Sequence, residues 1–249
     1  MSLTAVDWHR RYLQQALWTQ ELRAYLLGQI HLPPAPRVLE VGCGTGAVLT
    51  GLPGTHPAGL DRDLSALRLA QEFARHPLLT AGDALRLPFA GSAFDACFTH
   101  FFFLWVSSPA AALSEMVRAT RPGGWIVALA EPVYGGRIDH PAELAALGQL
   151  QGAALRAQGA DPYMGRKLSG LFHAAGLQQV HTGLLGGQWS TPPGAQAWES
   201  EWAVLQADLG GRIAPEELNN LRRLDAAAWE KGERILFVPT FYAWGQVPS

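Results

Sequence analysis

The chain is poor in cysteine, poor in charge and free of any long apolar run, and each shortage argues against a class of protein. Its two cysteines, Cys43 and Cys97, stand one in a glycine-rich turn and one in an apolar, strand-like run. A disulfide framework is therefore not expected. Charged residues make up 16% of the 249, the formal net charge is -2, and no segment gathers a dense block of Lys and Arg. A basic surface for a polyanion is not indicated, so no nucleic-acid partner is expected. The most apolar stretch, ACFTHFFFLWV, is roughly half the ~20 residues a spanning helix needs. The N-terminus, MSLTAVDWHRRYLQQ, lacks an apolar signal-peptide core. The expectation is a cytoplasmic protein with no membrane span. The eight histidines show no metal-site spacing, and no metal is expected.

What is present points to one folded domain over residues 1–249, with 48% hydrophobic residues. Trp8, Tyr12, Leu13, Ala16 and Leu17 recur at three- and four-residue spacing, and Leu22, Leu26 and Ile30 continue the stripe. This predicts a helical segment over 5–30, ended by the Pro33-Pro34-Ala35-Pro36 cluster. Strand-like and helix-like segments then alternate over 37–132, which argues a parallel sheet covered on both faces. Residues 136–232 read as a mainly helical, Ala-rich insert, a strand in LQQVHTGLLGGQW and two helices near 193–209 and 215–231. A last strand is expected over 234–244, with Pro239 at a bulge or at a position whose N–H the ladder does not need. Five of the nine tryptophans, Trp189, Trp198, Trp202, Trp229 and Trp244, fall in the final quarter. They either line a water-poor pocket or build the core of a cap.

The stretch RVLEVGCGTGAVLT, residues 37–50, is a short strand, then Gly42, Gly44 and Gly46 on alternate positions, then a helix. Those glycines open torsions closed to other residues and clear side chains from a ligand's path. GCGTGA satisfies both the G-x-G-x-x-A turn of dinucleotide-binding proteins and an E-x-G-x-G-x-G pattern. Glu40 lies two residues before the first glycine, where an acid can meet a cationic ligand but would repel a pyrophosphate. Asp61 ends the second strand, where a carboxylate can accept from two ribose hydroxyls. Next come AGDALRLPFAGSAFDACFTHF and ATRPGGWIVALAEP.

These four motifs, in this order, resemble those of the class I S-adenosylmethionine-dependent methyltransferases, in particular the ubiquinone/menaquinone-biosynthesis-like small-molecule type. Thr120 stands where the family usually has leucine. The resemblance covers about 37–132. It implies an α/β, Rossmann-like seven-stranded sheet of order 3-2-1-4-5-7-6, with strand 7 antiparallel, helices on both faces and a helical cap. It also implies S-adenosylmethionine as cofactor. Gly42, Cys43, Gly44 and Gly46 would cradle it, Glu40 would face its ammonium and Asp61 its ribose. Asp83 and the Ala84 N–H would hold the adenine, which either stacks on Arg62 or packs on Leu85 with Arg62 in solvent. Thr99 and His100 would border the ammonium and the methyl acceptor. Tyr12 and Trp18 lie on a helix that packs over the cofactor in similar proteins, and Arg10, Arg11 or Arg23 could pair with its carboxylate.

Transfer of a methyl group from a sulfonium needs positioning above all, and a base only when the attacking atom holds a proton. His100 is the candidate catalytic base, with a structural hydrogen bond as its alternative; Tyr134, Tyr163 and Glu131 are further candidates. The Asn/Asp-Pro-Pro-Tyr/Phe signature of nucleic-acid amino methyltransferases is absent after strand four, where THFF stands. The expected partner is a small, apolar or aromatic methyl acceptor, and a homodimer is compatible with the sequence. The competing readings are an NAD(P)-dependent oxidoreductase and a non-catalytic S-adenosylmethionine-binding protein.

Overall fold

The computed structural model describes residues 4–54, 56–73, 78–184, 186 and 192–249. In chain order the helices are α1 (Ala5–Trp18), α2 (Gln20–Gln29), α3 (Leu64–Phe73), α4 (Pro109–Ala119), α5 (Ala145–Ala157), α6 (Leu168–Ala174), α7 (Ala195–Leu209) and α8 (Pro215–Glu230). The strands are β1 (Val38–Val41), β2 (Ala58–Asp61), β3 (Leu78–Ala81), β4 (Phe94–His100), β5 (Thr120–Pro132), β6 (Ile138–His140), β7 (Gln178–Leu184), β8 (Ile235–Phe237) and β9 (Thr240–Gln246).

Seven strands form one sheet in the order β3-β2-β1-β4-β5-β9-β7. Numbered within that sheet alone, this is the anticipated order 3-2-1-4-5-7-6. β9 runs antiparallel to both neighbours, with Val127 and His181 opposite Trp244. All four residues of β1 are buried, as a parallel strand covered on both faces demands. Alternation sends Leu39 and Val41 into a core with Leu113, Met116 and Phe172. Val38 goes to the opposite core, with Leu26, Leu49 and Phe98. Glu40 shares that second side by the two-residue period of a strand. A third core belongs to the cap, where Trp202 packs with Leu147, Leu205, Leu209, Leu218 and Leu221. The chain's direction of winding reverses between β1 and β4. In open sheets of this kind, ligands bind beyond the carboxyl ends of the strands at that point.

Three elements differ from expectation for local reasons. The helix expected directly after the glycine turn is only a 3-10 turn, Leu49–Gly51, set between the positive-φ residues Gly46 and Gly54. The segment over 5–30 is two helices, not one. α1 begins with a reciprocal cap, in which Asp7 N donates to Thr4 Oγ1 and Thr4 N to Asp7 Oδ2. It stops at Thr19, whose hydroxyl bonds back to the Gln15 and Ala16 carbonyls at 3.1 and 3.3 Å. The single strand anticipated over 234–244 is also two. β8 pairs antiparallel with β6, outside the main sheet. Pro239 separates it from β9 and gives its carbonyl to Val133 N at 2.8 Å. β7 is described to Leu184; residues 185 and 187–191, which include Gly187 and Trp189, lie outside the described residues. Trp198 and Trp202 both donate Nε1 to Asp225 Oδ2, at 2.6 and 2.9 Å, so these two serve the cap's own core.

Candidate functional site

A cavity of about 580 Å³ opens at the carboxyl ends of β1, β2 and β4, between the glycine turn, α1 and the cap. Its floor is set by backbone geometry. Gly42 and Gly44 have φ of +75° and +51°, and a Cβ on Gly42 would lie 2.4 Å from the Phe102 ring. Leu60 O receives both Gly42 N and Cys43 N, at 2.8 and 3.0 Å, which ties the turn to β2. Asp61 Oδ2 accepts from Gly44 N at 2.8 Å and its Oδ1 from Asp63 N at 2.9 Å. Two bonds leave this carboxylate further acceptor capacity at the cavity wall. Asp83 spends one oxygen on Leu85 N at 2.9 Å and lines the cavity with Ala84, Leu85 and Arg62.

Glu40 is a buried acid at the cavity wall. It is 2% exposed, lines the cavity, and its Oε2 has no hydrogen-bond partner among the described residues. Burial pushes its carboxyl up to about 8; the Arg23 charge opposes that rise and Asp61 adds to it. A buried acid with an unmatched oxygen is costly unless something cationic or donating meets it.

His100 ends the neighbouring strand β4, two residues beyond the Phe98 that pairs with Glu40. Its Nε2 shares a 2.8 Å hydrogen bond with Thr19 Oγ1, which also receives Arg23 Nη1 at 2.6 Å. The ring stacks on Phe101 at 4.5 Å. Burial, helped by the Arg23 charge, lowers its pKa to about 3, so the imidazole is neutral. The Phe102–Leu104 backbone is held from below. Glu131 accepts from Phe102, Phe103 and Leu104 N at 3.3, 3.0 and 2.7 Å, while its burial pushes the carboxyl up to about 8. That acid is an anchor for a loop, not a cavity group.

α1 forms the roof. Trp8, Arg11, Tyr12 and Gln15 lie at helical spacing on one face and all line the cavity. His9 Nδ1 bonds Thr45 Oγ1 at 2.8 Å, pinning the helix to the glycine turn. Arg11 reaches Glu201 of α7 at 2.6 Å and Gln14 Nε2 donates to Ala197 O at 3.1 Å, joining roof to cap.

Ten of the thirteen principal cofactor-site candidates meet here: Glu40, Gly42, Cys43, Gly44, Asp61, Arg62, Asp83, Ala84, His100 and Tyr12. Three do not line the cavity. Gly46 closes the turn from outside through Gly46 N to Cys43 O at 2.8 Å. The Thr99 side chain is fully buried, on the face of β4 opposite His100. Trp18, at the end of α1, is 54% exposed beneath the Arg11 guanidinium at 4.6 Å. Of the other candidate bases, Tyr134 lines the cavity with its phenol pushed up to about 12 by burial. Tyr163 stands outside it, under Arg166. Of the arginines, Arg10 is exposed beside Asp7 and Arg23 is spent on the Ala16 carbonyl and Thr19. Sequence reasoning missed Gln151, Leu155, Gln158, Val204 and Asp208, which reach the cavity from the cap; no motif or spacing joins them to the glycine turn.

Residues 39–128 match the family model described as a methyltransferase domain. An uncharacterized methyltransferase of Schizosaccharomyces pombe is 32% identical over 154 residues, 54% of this chain and 54% of its own length. A demethylmenaquinone methyltransferase of Beutenbergia cavernae is 43% identical over 96 residues, 38% of this chain and 40% of its own. The chain thus spans about half the length of the curated relatives it matches. Among solved structures, a putative methyltransferase from Bacillus halodurans aligns with a TM-score of 0.61 at 15% identity, covering 91% of this chain and 99% of its own. Geranyl diphosphate C-methyltransferase from Streptomyces coelicolor, solved with S-adenosyl-L-homocysteine, aligns at 0.55 and 14% identity, covering 92% and 79%. These two establish the fold.

Proposed function

We propose that this chain is an S-adenosylmethionine-dependent methyltransferase acting on a small, apolar or aromatic acceptor, a reading supported by the match of residues 39–128 to the methyltransferase-domain model and by the Rossmann-like fold. The observation that carries the reading is Glu40, a buried acid whose Oε2 is unmatched in the cavity beside the glycine turn. The residues present fit the cofactor. Gly42 and Gly44 offer a backbone cradle without side chains. Asp61, already held by Gly44 N, has capacity for ribose hydroxyls. Asp83 and the Ala84 N–H border the place for adenine. Glu40 suits the ammonium of the methionine end, against which it can ionise, whereas the pyrophosphate of NAD(P) would oppose that ionisation.

When bound, S-adenosylmethionine supplies a methyl group on a sulfonium, an electrophile that needs no further activation. The chain's task is then to place the acceptor in line and keep water out. Trp8, Tyr12, Phe102, Trp105, Tyr134 and Leu155 give the cavity an aromatic and aliphatic lining. Relatives named demethylmenaquinone methyltransferase support an acceptor of this class. His100, neutral and hydrogen-bonded through Nε2 to Thr19 Oγ1, is read here as a positioning group, because so low a pKa makes it a weak proton acceptor for the base role expected from the sequence. Titration calorimetry tests the reading. S-adenosylhomocysteine should bind and NAD should not; the reverse order sinks the proposal. Labelled-methyl incorporation across phenols, quinols and amines then separates an enzyme from a cofactor-binding protein without transfer activity.

A further inference from the structure

Among the described residues, buried charge in the cap and on the facing α1 neutralises itself, with one exception. Arg11 pairs with Glu201 at 2.6 Å, Arg137 with Asp139 at 2.8 Å, and Arg234 with Asp139 and Asp225 at 2.6 Å. Asp208 is the acid left over. It is 8% exposed and lines the cavity. Among the described residues its carboxylate meets no cation directly, only the amides of Gln158 at 2.9 Å and Gln151 at 3.5 Å. The Gln151 amide is oriented, because Arg137 Nη1 donates to its Oε1 at 2.7 Å and so turns its Nε2 towards Asp208. Two neutral amides leave the carboxylate with acceptor capacity to spare. Burial also raises its carboxyl above the usual range, with the two amides and the Arg11 charge opposing.

Arg11, which also lines the cavity, carries an unmatched donor beneath its surface. Arg11 is 3% exposed; its Nη1 serves Glu201 and Gln14, while its Nε is buried with no partner among the described residues. We infer that Asp208 and Arg11 together recognise a hydroxyl group on the methyl acceptor, which donates to the Asp208 carboxylate and accepts from Arg11 Nε. The inference rests on the methyltransferase reading and names the polar end of its acceptor. A hydroxyl answers both needs through one atom. An ammonium only donates and would meet the Arg11 charge; a carboxylate or phosphate only accepts and would meet Asp208.

The test uses protein saturated with S-adenosylhomocysteine, so that no turnover is needed. Calorimetry compares 1-naphthol, 1-methoxynaphthalene, 1-naphthoate and 1-naphthylmethylammonium. The naphthol should bind about tenfold or more tightly than the other three, the usual effect of a hydrogen bond to a charged group. Asp208→Ala should erase that preference and keep the affinity for S-adenosylhomocysteine. Arg11→Lys keeps a cation for Glu201 but lacks Nε, and should erase the preference too, which covers the case of an Asp208 variant that fails to fold. Equal affinity across the series, a preference for either charged probe, or no probe binding to the saturated protein overturns the inference. Failure of S-adenosylhomocysteine itself to bind sinks the methyltransferase reading, and this inference with it.

Discussion

Replacing Glu40 by glutamine should make the empty protein more stable and a worse binder. Glu40 is buried with one oxygen unmatched, and its carboxyl is pushed up to about 8 from an ordinary 4.5. An acid raised on folding favours the folded state below its unfolded value, and that benefit is lost as pH rises through the folded value. At pH 7 the unfolded chain is ionised here while the folded chain is protonated, and that proton uptake costs about 3 kcal/mol. Glu40→Gln has nothing to ionise, so at pH 7 it should gain on the order of 2–3 kcal/mol, or about 5–10 °C in Tm for a chain of this size. Near pH 4 the gain should vanish, because both forms of the protein are then neutral at this position. The same change removes the carboxylate proposed to ionise against the ligand's ammonium, which should weaken S-adenosylhomocysteine roughly 10- to 100-fold. Urea denaturation at pH 4 and 7, paired with calorimetry, reads both effects. A variant less stable than wild type at pH 7, or one that binds with unchanged affinity, refutes the reasoning.

Further consequences follow from the same geometry. Asp61→Ala removes the acceptor for Gly44 N and the carboxylate proposed to face the ribose, and should weaken S-adenosylhomocysteine about 100-fold by calorimetry. Glu201→Gln leaves the buried Arg11 guanidinium without its ion pair, and should cost about 3 kcal/mol in urea denaturation. His100, with a pKa lowered to about 3 by burial and the Arg23 charge, should give no inflection in the kcat profile between pH 5 and 9. His100→Gln should preserve the shape of that profile; a lost limb near neutral pH would restore His100 as the base.

The parts of the site legible in the sequence are those made within a few residues of one another. Glu40, Gly42, Gly44 and Asp61 follow from a strand, a turn and the next strand, each with its own local signature. The sheet order, taken from the resemblance, is met by pairings such as Glu40 with Gly59 and Phe98. The break at Thr19 was hidden because the apolar stripe runs through it, while the cause is a hydroxyl bonded to its own helix and to His100, eighty-one positions away. Asp208 and Gln151 were invisible for a similar reason: their meaning depends on which arginines the fold has already paired.

The most direct measurement is the heat of S-adenosylhomocysteine binding at pH 7 in two buffers of different ionisation enthalpy. Glu40 enters the reaction protonated and should leave it ionised against an ammonium, so binding should release close to one proton in wild type and none in Glu40→Gln. Tight binding with no proton released, or no binding at all by folded protein, would contradict the account.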